Sequence, residues 1–248
     1  MRHSIRALLV LHLAANAAIL SLGYYWLGVG EATAGSLAWN GILGLSLVIA
    51  LLLVHGSAFA YFPQRADLKG AWGSALRHLP TLFVFAALAA SLYWVCTFAE
   101  GHTGNIAFRL GSALTMLFRK PIDPILVQRS FRVVFGLIRV AVLPVFLLPL
   151  ASALATSGWK GFRVSWWTAA KHWRYWIEAP LLLLAAFWLP FQLMAWTPAL
   201  RNFWLQMASF LVRLLAAYLL CVSAWLSAIF VTSRGIPWRS HPSTLSLP

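Results

Sequence analysis

Acidic residues are nearly missing from this chain: Asp and Glu number 5 against 19 Lys and Arg in 248 residues. Each of them, Glu31, Asp67, Glu100, Asp123 and Glu178, falls in a loop or at the end of an apolar segment. No pair of carboxylates is therefore placed for general acid–base chemistry, and no acid lies inside a span to carry protons across it. Cysteine is also scarce. Cys96 and Cys221 both lie in apolar segments, share no metal-site spacing with His or with each other, and indicate no redox compartment. P-loop, G-x-S-x-G and H-E-x-x-H patterns are absent, so the expectation is a protein that is not an enzyme. Charged residues make up only 10% of the chain and hydrophobic ones 61%, whereas a soluble domain carries roughly 25% charged residues. A soluble core cannot absorb that excess.

What is present is a series of apolar runs of bilayer length. A hydrocarbon core about 30 Å thick takes about 20 helical residues. Runs of that order occupy 7–27, 37–62, 81–99, 133–155, 180–196 and 207–232, which predicts an all-α, polytopic transmembrane bundle of six spans, with 233–248 as a polar tail. The first run follows a basic start, MRHSIR, and contains an A-x-A at Ala15 and Ala17, as a signal peptide would. It continues to Trp26, however, which predicts an uncleaved span. Residues 104–118 are apolar but short, and are expected to lie on the membrane or dip into it rather than cross.

The net charge of +14 suggests nucleic acid only where a solvated basic face has a soluble fold behind it. Here the basic residues stand between apolar runs, so they are topology signals and contacts to anionic lipid, and nucleic acid is not an expected partner. Arg2, Arg6, Arg65, Lys69, Arg77, Lys160, Arg163, Lys171, Arg174, Arg234 and Arg239 fall on one side of a six-span arrangement. The positive-inside rule makes that side, with both termini, cytoplasmic, and the composition suits a bacterial inner membrane. The segment 101–130 dissents, since it carries Arg109, Arg119, Lys120 and Arg129 on the opposite side.

Two segments combine charge, aromatic rings and helical spacing. In 159–178, Trp159, Phe162, Trp166, Trp173 and Trp176 fall on one side of a helix and Lys160, Arg163, Lys171 and Arg174 on another, which predicts a helix lying in the membrane surface. A shorter segment, 67–79, echoes it at a shift of 94 positions: Lys69, Trp72, Ala75, Arg77 and His78 answer to Arg163, Trp166, Ala169, Lys171 and His172. Both precede a span headed by a proline, Pro80 or Pro180, and the pattern suggests two related units of span, surface helix and span. A basic, Trp-containing helix leading into an Ala/Leu span resembles uncharacterised bacterial polytopic membrane proteins and the membrane domain attached to some glycerophosphodiester phosphodiesterases. The resemblance implies a membrane domain alone, because the catalytic barrel of those phosphodiesterases has no counterpart here.

Three groups of residues are candidates for a site. His12 and His55 lie at nearly equal depth in a hairpin of the first two spans, where two imidazoles could ligate haem or one could hold a chlorophyll magnesium, with Asn16 a turn away. Helix packing is the plainer role for the pair. Arg139 and Arg213 each enter a span from the far side, which marks an anion or lipid headgroup site, pairing with Glu31, Glu100 or Asp123, or snorkelling to the headgroups. Lys160, Arg163, Lys171 and Arg174 form the third group, facing anionic lipid. Pro144, Pro149 and Pro190 interrupt two spans in the manner of transporters. The expected role is a component or accessory subunit of a membrane assembly, bound to lipid and to other membrane subunits. A small-solute or lipid transporter is the alternative, and a haem or chlorophyll binder the third.

Overall fold

The computed structural model describes residues 2–30, 32–64, 67–163, 171–199 and 202–234. The chain is an all-α polytopic bundle, 89% helical, with six helices long and apolar enough to cross a membrane. In order, α1 covers Arg2–Leu27, α2 Ala34–Gln64, α3 Leu68–Arg77, α4 Leu79–Gly101, α5 Gly104–Phe118 and α6 Pro124–Leu137. A π-helical turn, Ile138–Val142, joins α6 to α7, Leu143–Ser157, and a 3₁₀ turn follows at Gly158–Phe162; α8 is Tyr175–Ala195 and α9 Phe203–Arg234.

The scarce acids are spent on helix ends. Asp67 caps α3 by accepting from the Gly70 N–H at 2.8 Å, and Asp123 caps α6 by accepting from Ile125 N–H at 2.8 Å, with Pro124 at the first helical position where no N–H is needed. Glu178 stands in the first turn of α8, where the helix dipole favours a negative charge. Thr33 and Ser36 do the same work for α2 without charge: each backbone N–H donates to the other's hydroxyl, at 3.0 and 3.1 Å.

The buried core cluster of the described residues lies towards one end of the bundle. Leu8 of α1, Ala58–Tyr61 of α2, Leu82 of α4, Val145–Ala155 of α7, Tyr175–Leu183 of α8 and Val222–Ile229 of α9 supply one buried cluster. These lie towards the starts of α1, α4 and α8 but towards the ends of α2, of the fourth apolar run and of α9, so the spans alternate in direction and the core lies at the face where α1 begins. This is the amino-terminal face below; the opposite one is the far face. Cross-links tie it: Tyr175 Oη donates to the Val145 carbonyl at 2.5 Å and Ser152 Oγ to that of Phe59 at 3.4 Å.

On the amino-terminal face α3 lies across the bundle as an amphipathic helix. Ala71 and Ala75 are buried beneath it, Ser74 Oγ donates to the Ala155 carbonyl at 2.9 Å, and Lys69, Trp72 and Arg77 stay exposed. The predicted helix at 159–178 has a different outcome at its edges. Residues 164–170 lie outside the described residues; Gly158–Phe162 is a 3₁₀ turn, 171–174 is not α-helical, and Tyr175–Glu178 already belongs to α8. The cause is local. Gly158 has φ +58°, which turns the chain out of α7, and Tyr175 is drawn into the core by its hydrogen bond. Of the answering residues in the second segment, Trp166 and Ala169 lie outside the described residues, while Arg163, Lys171 and His172 are described and none of them is α-helical.

The fourth span is longer than its apolar run, a near-continuous helix over 124–157 that ends where Gly158 turns the chain. At 1.5 Å per residue it measures about 51 Å, well over the thickness of a hydrocarbon core, so α6 extends beyond the hydrocarbon or runs strongly tilted. Packed on it is α5, 15 residues and about 22 Å long, too short to cross. Gly111 sits against Pro124, Ala107 and Val127 are buried, and Thr115 Oγ1 accepts from the Ile122 N–H at 3.0 Å.

Candidate functional site

The first cluster joins α1, α2 and α9. His12 is fully buried, and its Nδ1–H donates to the Leu8 carbonyl at 3.1 Å, because a carbonyl can only accept. That leaves Nε2 with a lone pair and no partner of hydrogen-bonding geometry. His55 is in the opposite tautomer: its Nδ1 accepts from Trp225 Nε1–H at 3.0 Å, so its proton is on Nε2. The two rings are 6.1 Å apart between centroids and tilted by 62°. Trp225 also meets Phe59 and Phe187 edge to face, Asn16 Nδ2 donates to the His12 carbonyl at 2.8 Å, and Tyr218 Oη donates to the Leu13 carbonyl.

The hairpin geometry thus does bring His12 and His55 together, but not as a cradle for a macrocycle. The rings are in near contact, His12 has no exposed surface, and the lone pair of His55 is already taken by Trp225. Haem or chlorophyll does not fit between them. What the arrangement does is hold three spans in register through neutral hydrogen bonds, which cost little to bury because they are made. Trp225 was the missed member. Its signal was a Trp deep in an apolar run, far from the ends where interfacial Trp is expected. Replacing Trp225 with Phe should lower the stability of the detergent-solubilised protein by about 1–2 kcal/mol, from the lost bond to His55, read as a lower unfolding temperature. An unchanged temperature would show that the bond holds nothing together.

The two span arginines serve different partners. Arg213, 8% exposed, donates to the carbonyls of Ser209 at 3.2 Å and Met194 at 3.3 Å and to that of Trp196. The last two are the unpaired acceptors at the C-terminal end of α8, the negative pole of that helix. Arg213 is therefore a cap supplied from a neighbouring span.

Arg139 belongs to a cleft. Pro144 has no N–H for the carbonyl four residues earlier, and the helix widens instead: Leu143 N–H bonds the Ile138 carbonyl, five residues back. In this π turn Arg139 faces α4, where Nη2 pairs with Glu100 Oε2 at 2.5 Å, Nη1 donates to Thr97 Oγ1 at 3.1 Å, and the guanidinium lies 5.6 Å from the Tyr93 ring centroid. Tyr93, Thr97 and Glu100 share one side of α4 by their spacing of four and three. Arg139 is 18 residues from the end of α7 at Ser157, or about 27 Å, and Glu100 about 32 Å along α4, so the pair sits at the far headgroup level. Around it opens a cleft of about 360 Å³ lined by Thr97, Glu100, Thr103, Gln128, Arg132 and Arg139. Arg213 does not line it.

Lys160, Arg163, Lys171 and Arg174 are all exposed on the amino-terminal face, interleaved with exposed Trp159, Phe162, Trp173 and Trp176. Rings and cations at the ends of apolar helices suit the headgroup region. Among the described residues no group of three or more His, Cys, Asp or Glu side chains is placed to hold a metal ion. Compared with known proteins, the chain matches no family model, no curated protein and no solved structure.

Proposed function

We propose that this chain is a non-catalytic, multi-pass membrane protein that works as a component or accessory subunit of a larger membrane assembly. The observation that carries this reading is the lateral openness of α4: only 6% of its most apolar 18 residues are buried in the chain's own fold, against 33% for α9. In a bilayer, lipid tails are as apolar as Leu, so helices are held by packing and hydrogen bonds. A span touching its own bundle chiefly at one end and through Arg139 has most of its surface left for a neighbour. Tyr93, Trp94, Val95 and Phe98 are all exposed there. Anionic lipid bound by Lys160, Arg163, Lys171 and Arg174 is the second expected partner. The basic residues of the amino-terminal face support a cytoplasmic location for it, and a bacterial inner membrane is the matching compartment.

A photoreactive residue placed at position 94 tests this in cells. The expected product is one discrete adduct heavier than the 27.5 kDa chain. Adducts to lipid alone would remove the reading. The π turn favours a second reading, a lipid or small-solute transporter in which Arg139, Pro144 and Pro149 form the moving part. Solute or lipid movement by the purified chain alone, in vesicles, would put that reading first.

A further inference from the structure

The cleft beside the π turn is lined by Thr97, Glu100, Thr103, Gln128, Arg132 and Arg139, of which three are charged. Two cations and one carboxylate leave a net charge of +1. The Arg139–Glu100 pair is partly enclosed, with side chains 17% and 20% exposed, and is fixed from three sides by Thr97, Tyr93 and the π turn. Arg132, two turns earlier on the same side of the fourth span, is exposed and no described residue pairs with it. Gln128 adds an exposed amide one turn further out. The walls combine guanidinium donors, a carboxylate acceptor and an amide that is both.

We infer that this cleft binds a phosphodiester monoanion carrying a hydroxyl headgroup, the chemistry of a singly anionic glycerophospholipid in the leaflet at the far face. Charge sets the class. One net positive charge matches one phosphodiester, and Glu100 at the rim opposes a second negative charge. The phosphate oxygens take the planar donors of Arg132 and the unused donors of Arg139, while Glu100 and Gln128 accept from the headgroup hydroxyls. Depth and surroundings select a lipid over a free solute. The cleft is at headgroup level, and the adjoining side of α4 carries Trp94 stacked on Phe98, with Phe98 against His102, a column of rings along which acyl chains can lie. On α6 the neighbouring Val133 and Val134 are exposed apolar surface continuous with the same leaflet. This inference requires only that the spans lie in a bilayer, and it stands whether or not the chain joins an assembly.

The full chain, purified and placed in discs of equal parts phosphatidylglycerol and phosphatidylcholine, provides the test, with bound lipid read by native mass spectrometry. The unmodified protein is expected to retain phosphatidylglycerol selectively. Arg132→Gln should reduce that preference about tenfold, the loss of one charge-assisted contact. Arg129→Gln removes the same charge from an exposed position on α6 that does not line the cleft, and should leave the preference unchanged. Neither arginine has a described partner, so both variants keep the fold. Equal losses in the two variants would mean general attraction of a basic protein for anions and would overturn the site, as would no preference at all. Soluble glycerophosphoglycerol in excess is the remaining arm: failure to displace the lipid supports a leaflet ligand, and full displacement would reassign the cleft to a free solute.

Discussion

Arg213→Leu is expected to destabilise the protein by about 3 kcal/mol, with a fall in unfolding temperature larger than for any other single span residue apart from the glycine described next. Leucine fills most of the volume and suits the bilayer, so hydropathy alone would forecast a gain. The loss arises from the acceptors. The carbonyls of Met194 and Trp196 at the end of α8 have no helical N–H to accept from, and Arg213 reaches them from α9 while also bonding Ser209. Without the guanidinium those carbonyls stand unpaired at the edge of hydrocarbon, at a cost of about 1–3 kcal/mol each. Arg213→Lys keeps a cation near the negative pole of α8 but lacks a planar fork, and should recover about half of the loss. Thermal unfolding of the three proteins in one detergent decides it, and a leucine variant as stable as its parent would show that water or lipid can cap α8 equally well.

Gly161→Val should be more damaging still, by more than about 3 kcal/mol, and is expected to reduce folded yield outright. A side-chain Cβ at Gly161 would come within 2.7 Å of the Ala153 carbonyl carbon and oxygen and 2.9 Å of the Leu154 nitrogen. These are backbone atoms of α7, which cannot rotate away. Gly158→Ala is a milder relative: its Cβ would meet His78 Nδ1 at 2.5 Å, and an imidazole can move, although φ of +58° adds strain for any residue with a Cβ. Gly73 supplies the control. Nothing lies within 4 Å of a Cβ there, so Gly73→Ala in exposed α3 should raise stability by up to about 1 kcal/mol through helix propensity. Should Gly161→Val and Gly73→Ala behave alike, the close approach of the 3₁₀ turn to α7 is not as described.

The same contact carries a pH dependence. Burial first, and the charge of Arg77 second, hold the His78 imidazole below its ordinary range. A lowered value means that the folded protein prefers the neutral ring, so the contribution is present above the ordinary histidine range and is lost as pH falls towards the lowered value. Mild acid should therefore loosen the seat of α3 on α7, and Gly158→Ala should add to the effect.

The membrane class, the helical fold and the existence of six spans were legible in the chain because bilayer thickness sets a run length, and composition either meets it or does not. Helix α3 was legible too, since Asp67, two buried alanines and an exposed Lys69–Trp72–Arg77 side follow helical periodicity. Depth in a hairpin could be counted, which is how His12 and His55 were placed side by side, and how Arg139 and Arg213 were placed at the far side. Partners could not be counted. Whether Arg139 would meet Glu100, whether Arg213 would cap α8, and whether Trp225 would hold His55 depend on which helix stands beside which. In lipid, apolar surface is indifferent to the neighbour it touches, so hydropathy patterning carries no neighbour information. Nor did the run length of 133–155 reveal a helix reaching from 124 to 157, because α6 and the π turn are set by Asp123 and Pro144 rather than by apolar content. The sequence by itself determined that the chain spans a bilayer and how many times. Only the tertiary structure decided which polar groups are spent on holding the bundle together and which, at Arg132, are left over.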